Sequence, residues 1–258
     1  MRDLTISLIQ TTQFWEDKSK NIANISAIMS ENFSSDLILL PEMFNTAFSM
    51  DAKNLAESID LSPSLNQLKI WAKQKHTAIY TSMMVKDGEQ FFNRGFFIYP
   101  NGEFMHYDKR NLFALGGEGD VFSPGKEEKI IDYLGWKINL QVCFDLRFPS
   151  CSANNMDKEG KAKYDLLLYV ANWPEKRIAH WEKLLVARAI ENQSYVAGLN
   201  RVGVDGNGLN YNGQSVVNDY NGLPILSFEK NENAVRSTTL SATSLQAFRQ
   251  ELPFLNDF

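Results

Sequence analysis

Two almost wholly apolar runs constrain the fold of this chain more than any other feature of its sequence. Residues 36–41 (DLILLP) and residues 165–170 (DLLLYV) are too short for typical helices. Runs of this kind form central strands that other layers cover on both faces. Residues 21–33 and 176–193 place apolar residues at helical spacing. The chain is therefore predicted to layer helices over buried strands.

The rest of the apolar pattern predicts many short strands and one further helix. That helix begins with Ser62 as its N-cap and Pro63 in its first turn. Strands are predicted where apolar residues alternate between turn signals, at residues 5–10, 77–85, 94–99, 102–107, 129–133, 136–144, 195–200, 215–218, 223–229 and 234–241. Helices alternate with strands early and late, and hairpins occupy the middle. We therefore expect an α/β fold with mixed sheets rather than a parallel doubly wound fold.

No break in composition, internal repeat or flexible linker divides the sequence. Residues 114–126 and 203–213 are predicted to be loops near a site rather than domain boundaries. We expect one domain that spans residues 1–258.

The composition speaks against several classes of protein. Hydrophobic residues make up 44% and the net charge is −5, so neither disorder nor binding to nucleic acid or an anionic membrane is expected. Two cysteines, Cys143 and Cys151, are too few for a disulfide framework. No targeting segment or bilayer-spanning run is visible. These features predict a cytoplasmic globular protein.

The most distinctive candidate for chemistry is Cys143, at the end of a predicted buried strand. The residues that follow it, Asp145, Arg147 and Pro149 among them, require the strand to stop and turn. A thiol at such an elbow faces a pocket, and the next backbone N–H can stabilise an oxyanion. The alternative is a buried structural cysteine, which is also our interpretation of Cys151.

Two further strand ends and one loop carry groups that could assist a thiol. Glu42 directly follows the apolar run at residues 37–40 and could act as a general base, although a carboxylate there could also cap the next turn. Lys109 lies in a basic strand end that, taken alone, is more typical of a solvated turn. Glu118 lies in a glycine-rich loop, a weak signal by itself.

The histidines do not suggest a conventional Cys-His pair. None of His76, His106 and His180 has a companion motif, so each is interpreted as structural. The sequence also lacks the CxxC, HExxH, GxGxxG and phosphate-loop patterns. We therefore expect neither a metal nor a cofactor.

The motifs around Glu42, Lys109 and Cys143 resemble the Glu-Lys-Cys motifs of the nitrilase, or carbon–nitrogen hydrolase, superfamily. The resemblance covers nearly the whole chain, and the segments around Cys143 and Trp173 look most like the ω-amidase branch. The matching segments are residues 40–43, 107–110, 143–149, 169–174, 187–193 and 200–206.

This resemblance implies a four-layer α-β-β-α sandwich with mixed sheets, usually assembled as a homodimer. It implies that Cys143 is the nucleophile, Glu42 the general base and Lys109 the oxyanion stabiliser. Glu118 matches a second glutamate that helps to position the substrate, and the Phe144 backbone N–H would be the other oxyanion donor. The positive charge of Lys109 is also expected to lower the pKa of the Cys143 thiol.

The implied activity is hydrolysis of a small-molecule amide through a cysteine thioester. In the ω-amidase branch the substrates would be 2-oxoglutaramate and 2-oxosuccinamate. The alternatives within the family are a deaminated-glutathione amidase, an N-carbamoyl amidase or a nitrilase. The alternative outside it is a redox-sensing or structural protein that does not use Cys143 in catalysis.

The sequence departs from the family pattern at Gly119, where the family commonly has histidine, and this puts the shape of the substrate-facing loop in question. Trp173 is predicted to form an aromatic pocket wall, with core packing as the alternative. Four arginines are candidate clamps for a substrate carboxylate: Arg147, Arg177, Arg188 and Arg201. For Arg147, bracing the elbow is the alternative. Four aromatic residues could pack across a dimer or equally within one chain: Tyr220, Phe248, Phe254 and Phe258.

Overall fold

Two β-sheets stacked face to face form the centre of the structure, a computed structural model that describes residues 1–257 and leaves Phe258 outside the described residues. Helices cover the outer face of each sheet, so that the layers run helix, sheet, sheet, helix. The predicted α/β class with mixed sheets and the α-β-β-α sandwich are confirmed.

The bounds of the elements define these layers. In the described part of the chain the helices are α1 (Lys18–Met29), α2 (Ala52–Leu55), α3 (Pro63–Lys75), α4 (Glu118–Val121), α5 (Ile178–Asn192) and α6 (Ala242–Glu251). The strands up to the middle of the chain are β1 (Leu4–Gln10), β2 (Leu37–Leu39), β3 (Glu57–Ser58), β4 (Ala78–Asp87), β5 (Gln90–Ile98), β6 (Phe104–Asp108), β7 (Ile130–Tyr133) and β8 (Trp136–Val142). The later strands are β9 (Leu166–Ala171), β10 (Tyr195–Asn200), β11 (Val202–Val204), β12 (Asn210–Asn212), β13 (Val216–Asn218), β14 (Pro224–Ser227) and β15 (Ala234–Leu240).

Each sheet has parallel strands in its middle and antiparallel strands at its sides. The first sheet has the order β15-β1-β2-β4-β5-β6, with β3 beside β4, and the second has the order β14-β13-β10-β9-β8-β7. The strands β1, β2 and β4 are parallel, as are β8, β9 and β10. Hairpins such as β4–β5 and β7–β8 supply the antiparallel pairs. β11 and β12 pair separately.

The short strand β2 shows how the sequence builds the layers. Leu37 and Leu39 belong to the core between the two sheets, whereas Ile38 belongs to the cluster under helices α1 and α3. Successive side chains of a strand point to opposite faces, so an apolar run is required where both faces are buried. Each such side chain contributes about 1.5–3 kcal/mol on burial.

Capping explains where α3 begins and ends. The Ser62 hydroxyl accepts a hydrogen bond from the Leu65 N–H at 3.0 Å, and Pro63 is the first helical residue, as predicted. The helix ends where His76 adopts a left-handed conformation (φ 52°).

Several predicted boundaries differ from the structure. The first helix lies at Lys18–Met29 rather than at residues 21–33, because the Asp17 side chain caps it by accepting from Lys20 N. The predicted loop at residues 203–213 contains β11 and β12. The helix α6, capped by Ser241, was not predicted. None of the helices in residues 1–257 combines the length and the apolar character that crossing a bilayer requires.

Candidate active site

Side chains from four separate segments meet at one end of the stacked sheets. Glu42 lies three residues after the end of β2, Lys109 directly follows β6, Cys143 directly follows β8, and Glu118 is the first residue of α4. The exposed fraction is 0% for Glu42 and Glu118, 1% for Lys109 and 8% for Cys143. The structure therefore brings together the four residues to which the resemblance assigns catalytic roles.

Lys109 is the centre of this group. Its Nζ donates to Glu42 Oε1 at 3.0 Å and to both carboxylate oxygens of Glu118 at 2.9 and 2.8 Å. An ammonium has three protons, so the two carboxylates occupy its full donor capacity. The Lys109 N–H also donates to the carbonyl of Asn93, which joins the lysine backbone to β5.

Further donors fix both carboxylates. The Asn93 amide donates to Glu42 Oε1 at 2.8 Å and to Glu118 Oε1 at 3.0 Å. The remaining oxygen of Glu42 accepts from the Asn172 backbone N–H at 2.8 Å. The remaining oxygen of Glu118 accepts from the Phe113 N–H at 2.7 Å. Donors to every carboxylate oxygen hold both side chains in one orientation.

Cys143 occupies a strained turn between β8 and a short 3-10 helix, Cys143–Arg147. Its φ is 45°, in the left-handed region that side chains other than glycine adopt at a cost of about 1–2 kcal/mol. Phe144 lies in the first helical turn, where backbone N–H groups lack an intrahelical acceptor. The predicted elbow is thus present, with the Phe144 N–H next to the thiol in sequence.

Asp145 connects this elbow to the segment that carries Lys109. One carboxylate oxygen accepts from the Val142 N–H at 3.0 Å and from the Tyr107 hydroxyl at 2.8 Å. The other accepts from the backbone and side-chain nitrogens of Asn111 at 3.0 and 2.8 Å. A displacement of either segment would therefore break bonds to the other.

The electrostatics keep the thiol protonated and the lysine charged. Burial raises the pKa of Cys143 well above its usual value and the charge of Glu42 raises it further, which outweighs the lowering by Lys109. The predicted lowering by Lys109 is confirmed as one contribution, but the net direction is upward. Burial alone would lower the pKa of Lys109, but the charges of Glu118 and Glu42 raise it above its ordinary value. The thiol must lose its proton during the attack rather than before it.

A cavity of about 690 Å³ opens onto the sulfur of Cys143. Its walls include six aromatic side chains, and both predicted loops contribute to the lining, the first through Leu115 and the second through Leu209. The aromatic lining residues are Trp15, Phe48, Phe113, Phe144, Trp173 and Tyr211. Gly119 is not among the lining residues, and a Cβ built on it would meet nothing within 4 Å.

The arginine candidates separate into two that face the cavity and two that do not. Arg147 and Arg177 line it. Arg188 is buried and donates to the Leu146 carbonyl at 2.7 Å. Arg201 is buried and donates to three backbone carbonyls, and burial lowers its pKa to about 10.

Trp173 has both of the roles considered from sequence, because it lines the cavity and packs its ring 5.5 Å from that of Trp181. The Arg147 guanidinium lies 4.8 Å from the Trp173 ring, and its Nη2 lies 3.1 Å from His180 Nδ1. Cys151 does not line the cavity, and its sulfur accepts from the Asn111 amide at 2.9 Å.

Sequence reasoning missed two asparagines of the site. Asn172 was noticed only as part of a motif, although the amide of this residue donates to the Glu42 carbonyl at 2.7 Å. Asn93 was not noticed at all. The one signal was a polar pair, Asn93 and Arg94, in a strand with two aromatic residues at each side, FFNRGFF, at residues 91–97.

A buried thiol, a lysine and two carboxylates meet at the end of a four-layer sandwich, an arrangement that suits a hydrolase with a cysteine nucleophile. The sequence matches the family model described as carbon-nitrogen hydrolase over residues 5–250. The chain therefore belongs to the carbon–nitrogen hydrolase family, an amide-hydrolysing class of enzyme, and the resemblance stated from sequence is confirmed.

Known proteins resemble the chain over its full length. It is 40% identical to Omega-amidase YafV of Yersinia enterocolitica, with 100% of this chain and 97% of the relative covered. It is 30% identical to 2-oxoglutaramate amidase of Bacillus subtilis (strain 168), with 98% and 96% covered. Among solved structures, XC1258 of Xanthomonas campestris is a CN-hydrolase superfamily protein with an arsenic adduct in its active site. It superposes with a TM-score of 0.97 at 40% identity, with 100% of this chain and 98% of that chain covered.

Proposed function

We propose that this chain is an ω-amidase that hydrolyses the terminal amide of 2-oxoglutaramate, and of 2-oxosuccinamate, to the 2-oxo dicarboxylate and ammonia. The names of two relatives, Omega-amidase YafV and 2-oxoglutaramate amidase, support this substrate class. The substrate has an amide at one end and a carboxylate at the other. The cavity must therefore offer a cation at a distance from the thiol.

The observation that carries the proposal is a pair of unpaired arginines. In the described residues, neither the Arg147 nor the Arg177 guanidinium has a carboxylate within 4.0 Å. The charge of Arg177 contributes to lowering the pKa of Arg147, after burial, so the two cations disfavour each other. An anionic substrate would relieve this repulsion.

The acidic residues of the cavity are already engaged by other donors. Glu16 accepts from the Ser49 hydroxyl, and Asp205 accepts from the Tyr211 hydroxyl. Asp51 accepts from the Asn54 amide. These donors are neutral and leave the three carboxylates charged, so the argument for an anionic ligand depends on where the arginines lie. Arg147 belongs to the same short 3-10 helix as Cys143.

The proposed first half-reaction forms a thioester. The Cys143 sulfur attacks the amide carbon while Glu42 takes the thiol proton. The oxyanion that forms accepts hydrogen bonds from Lys109 Nζ and the Phe144 N–H. Glu42 then returns the proton to the nitrogen as the carbon–nitrogen bond breaks, so that ammonia leaves and the acyl group stays on the sulfur.

The proposed second half-reaction hydrolyses the thioester. Glu42 takes a proton from water, whose oxygen attacks the acyl carbon, and the same two donors stabilise the second oxyanion. The carbon–sulfur bond breaks, the proton returns to Cys143, and the carboxylic acid leaves. Glu118 would hold Lys109 and thereby orient it throughout both halves.

We also propose that the chain forms one domain over residues 1–258, assembles as a homodimer and acts in the cytoplasm. Of the aromatic residues considered for a dimer, Tyr220 and Phe248 pack on each other at 4.5 Å between ring centroids. Phe254 is 55% exposed and stays a candidate contact, and Phe258 lies outside the described residues. Light scattering coupled to gel filtration would measure the oligomeric state.

Ammonia release from 2-oxoglutaramate tests the function. The panel includes glutamine, a simple nitrile and an N-carbamoyl amino acid, each with the wild type and with Cys143→Ala. We expect turnover of the keto-amide that Cys143→Ala abolishes. No ammonia from 2-oxoglutaramate at catalytic enzyme concentrations would refute the ω-amidase proposal, and turnover of another compound alone would reassign the substrate.

A further inference from the structure

We propose that Asn93 is a positioning residue that holds the general base Glu42 against Glu118 while Lys109 turns to the oxyanion. The inference rests on the proposed roles of Glu42, Lys109 and Cys143, but not on the identity of the substrate. It assigns a task in the reaction to a residue of β5 that does not line the cavity.

The geometry of the Asn93 amide is that of a bridge. Its nitrogen lies 2.8 Å from Glu42 Oε1 and 3.0 Å from Glu118 Oε1, and the residue is 1% exposed. A side-chain amide has two N–H protons, so each carboxylate takes one. The amide oxygen is buried and has no partner in the part of the chain that the structure describes. The two carboxylates alone thus determine how the amide is oriented.

The charge balance explains why a second donor is needed. Glu42 and Glu118 are both fully buried, and Lys109 is the one cation that contacts them in residues 1–257. Two ionised carboxylates against one ammonium leave a net negative charge, and like charges in a dry site repel strongly. A neutral donor shared between the two Oε1 atoms offsets this repulsion without an added charge.

The contacts of Lys109 with the two carboxylates must change during the proposed reaction. In the resting structure all three protons of Lys109 point to carboxylate oxygens. Lys109 must release at least one of them to donate to the oxyanion. When Lys109 releases its single contact to Glu42, the Asn93 bridge is the remaining side-chain link between Glu42 and Glu118, and it keeps Glu42 in place to take and return the proton.

The test separates this role from simple packing. Asn93→Ala removes both the volume and the donor, whereas Asn93→Leu keeps most of the volume and removes only the donor. The backbone bond from the Lys109 N–H to the Asn93 carbonyl survives in both variants. The matched control is Asn139→Ala, because Asn139 is also fully buried and its amide donates to Glu128 at 3.0 Å, outside the site.

The readout is the rate of Cys143 alkylation by iodoacetamide as a function of pH, with the modified residue assigned by mass spectrometry. This rate requires ionised Glu42 to take the thiol proton, and it requires no substrate. The charged groups that face Glu42 are Lys109 and Glu118, with the thiol of Cys143 beside them. Loss of a donor to the carboxylates favours uptake of a proton. The acidic limb, which is the low-pH side of the profile where the rate falls, should therefore move to higher pH in both Asn93 variants.

Two results would overturn the proposal. An acidic limb that stays at the wild-type pH in a folded Asn93→Leu protein would show that the bridge does not control Glu42. Loss of the thermal unfolding transition in both Asn93 variants would make the role structural. The control Asn139→Ala should keep the wild-type limb. An absence of ω-amidase turnover would refute the proposed substrate and leave this alkylation result unaffected.

Discussion

Lys109→Met should destabilise the protein by about 3–5 kcal/mol, since it removes one partner from a buried charge cluster. Methionine keeps an unbranched chain of similar length, so the packing changes little. The substitution removes three contacts of 2.8–3.0 Å between Lys109 Nζ and the fully buried carboxylates of Glu42 and Glu118. For a chain of this size, such a loss lowers Tm by roughly 10 °C.

The structure also gives the pH dependence of this loss. Without the lysine, Glu42 and Glu118 face each other with no cation, and the folded protein takes up a proton that the unfolded chain does not hold. A protein that binds more protons when folded than when unfolded loses stability as the pH rises. The deficit of Lys109→Met relative to wild type should therefore be smaller at pH 5 than at pH 8.

A double variant separates the structural role of Lys109 from its catalytic role. Glu118→Gln in the Lys109→Met background removes one of the two negative charges and should restore about 2 kcal/mol of stability. Activity should stay at least about 10²-fold below wild type in both proteins, because the oxyanion has lost a donor. Thermal and urea unfolding, together with ammonia release, measure both effects. A double variant that is less stable than Lys109→Met alone would refute this account of the cluster.

Three other outcomes follow from the same contacts. In Glu42→Gln, iodoacetamide should label Cys143 more slowly than in wild type at pH 7, because burial still raises the pKa of this thiol and the base that assists it is gone. A labelling rate equal to that of wild type at pH 7 would contradict this. The stability of wild type should fall more steeply above pH 9 than that of Cys143→Ala, because the unfolded chain releases the thiol proton at lower pH than the folded protein. Equal pH dependence of the unfolding free energy in urea titrations of the two proteins would exclude this effect. Arg147→Ala and Arg177→Ala should each raise KM for 2-oxoglutaramate at least about tenfold and leave propionamide hydrolysis nearly unchanged; an equal effect on both substrates would argue against a carboxylate clamp.

The sequence predicted the site residues best where a reactive side chain lies at the end of a strand. Glu42, Lys109 and Cys143 each follow an apolar or alternating run closely, and such runs are the most reliable local signal in a chain of this kind. The layering of helices over buried strands followed from the same runs, whereas the α-β-β-α order was implied by the family resemblance. Residues buried on both faces of a sheet must be apolar at consecutive positions, as in β2 and β9.

What could not be predicted depends on contacts between segments far apart in the chain. The proposed role of Asn93 exists only because the fold places its amide within hydrogen-bond distance of Glu42 and Glu118, and the sequence around Asn93 gives no sign of these contacts. The helix α6 was missed because its buried positions, Ala242, Leu245 and Arg249, include one alanine and one arginine. Arg249 is buried because it forms an ion pair with Asp165 at 2.6 Å, which no periodicity reveals.

The raised pKa of Cys143 affects when the thiol can react. A cysteine paired with histidine rests as a thiolate and is reactive towards any electrophile that reaches it. In the proposed mechanism the thiol keeps its proton at rest and Lys109 is fully occupied by carboxylates, so neither the proposed nucleophile nor the proposed oxyanion donor is active before substrate binds. A carbonyl oxygen placed near Lys109 and the Phe144 N–H draws a lysine proton to itself. The sulfur then attacks the carbonyl carbon, and negative charge develops on the carbonyl oxygen, where the two donors stabilise it. Glu42 takes the thiol proton in the same step. Reactivity is therefore tied to a substrate that positions its carbonyl, and the Asn93 bridge matters because it holds Glu42 still during that exchange.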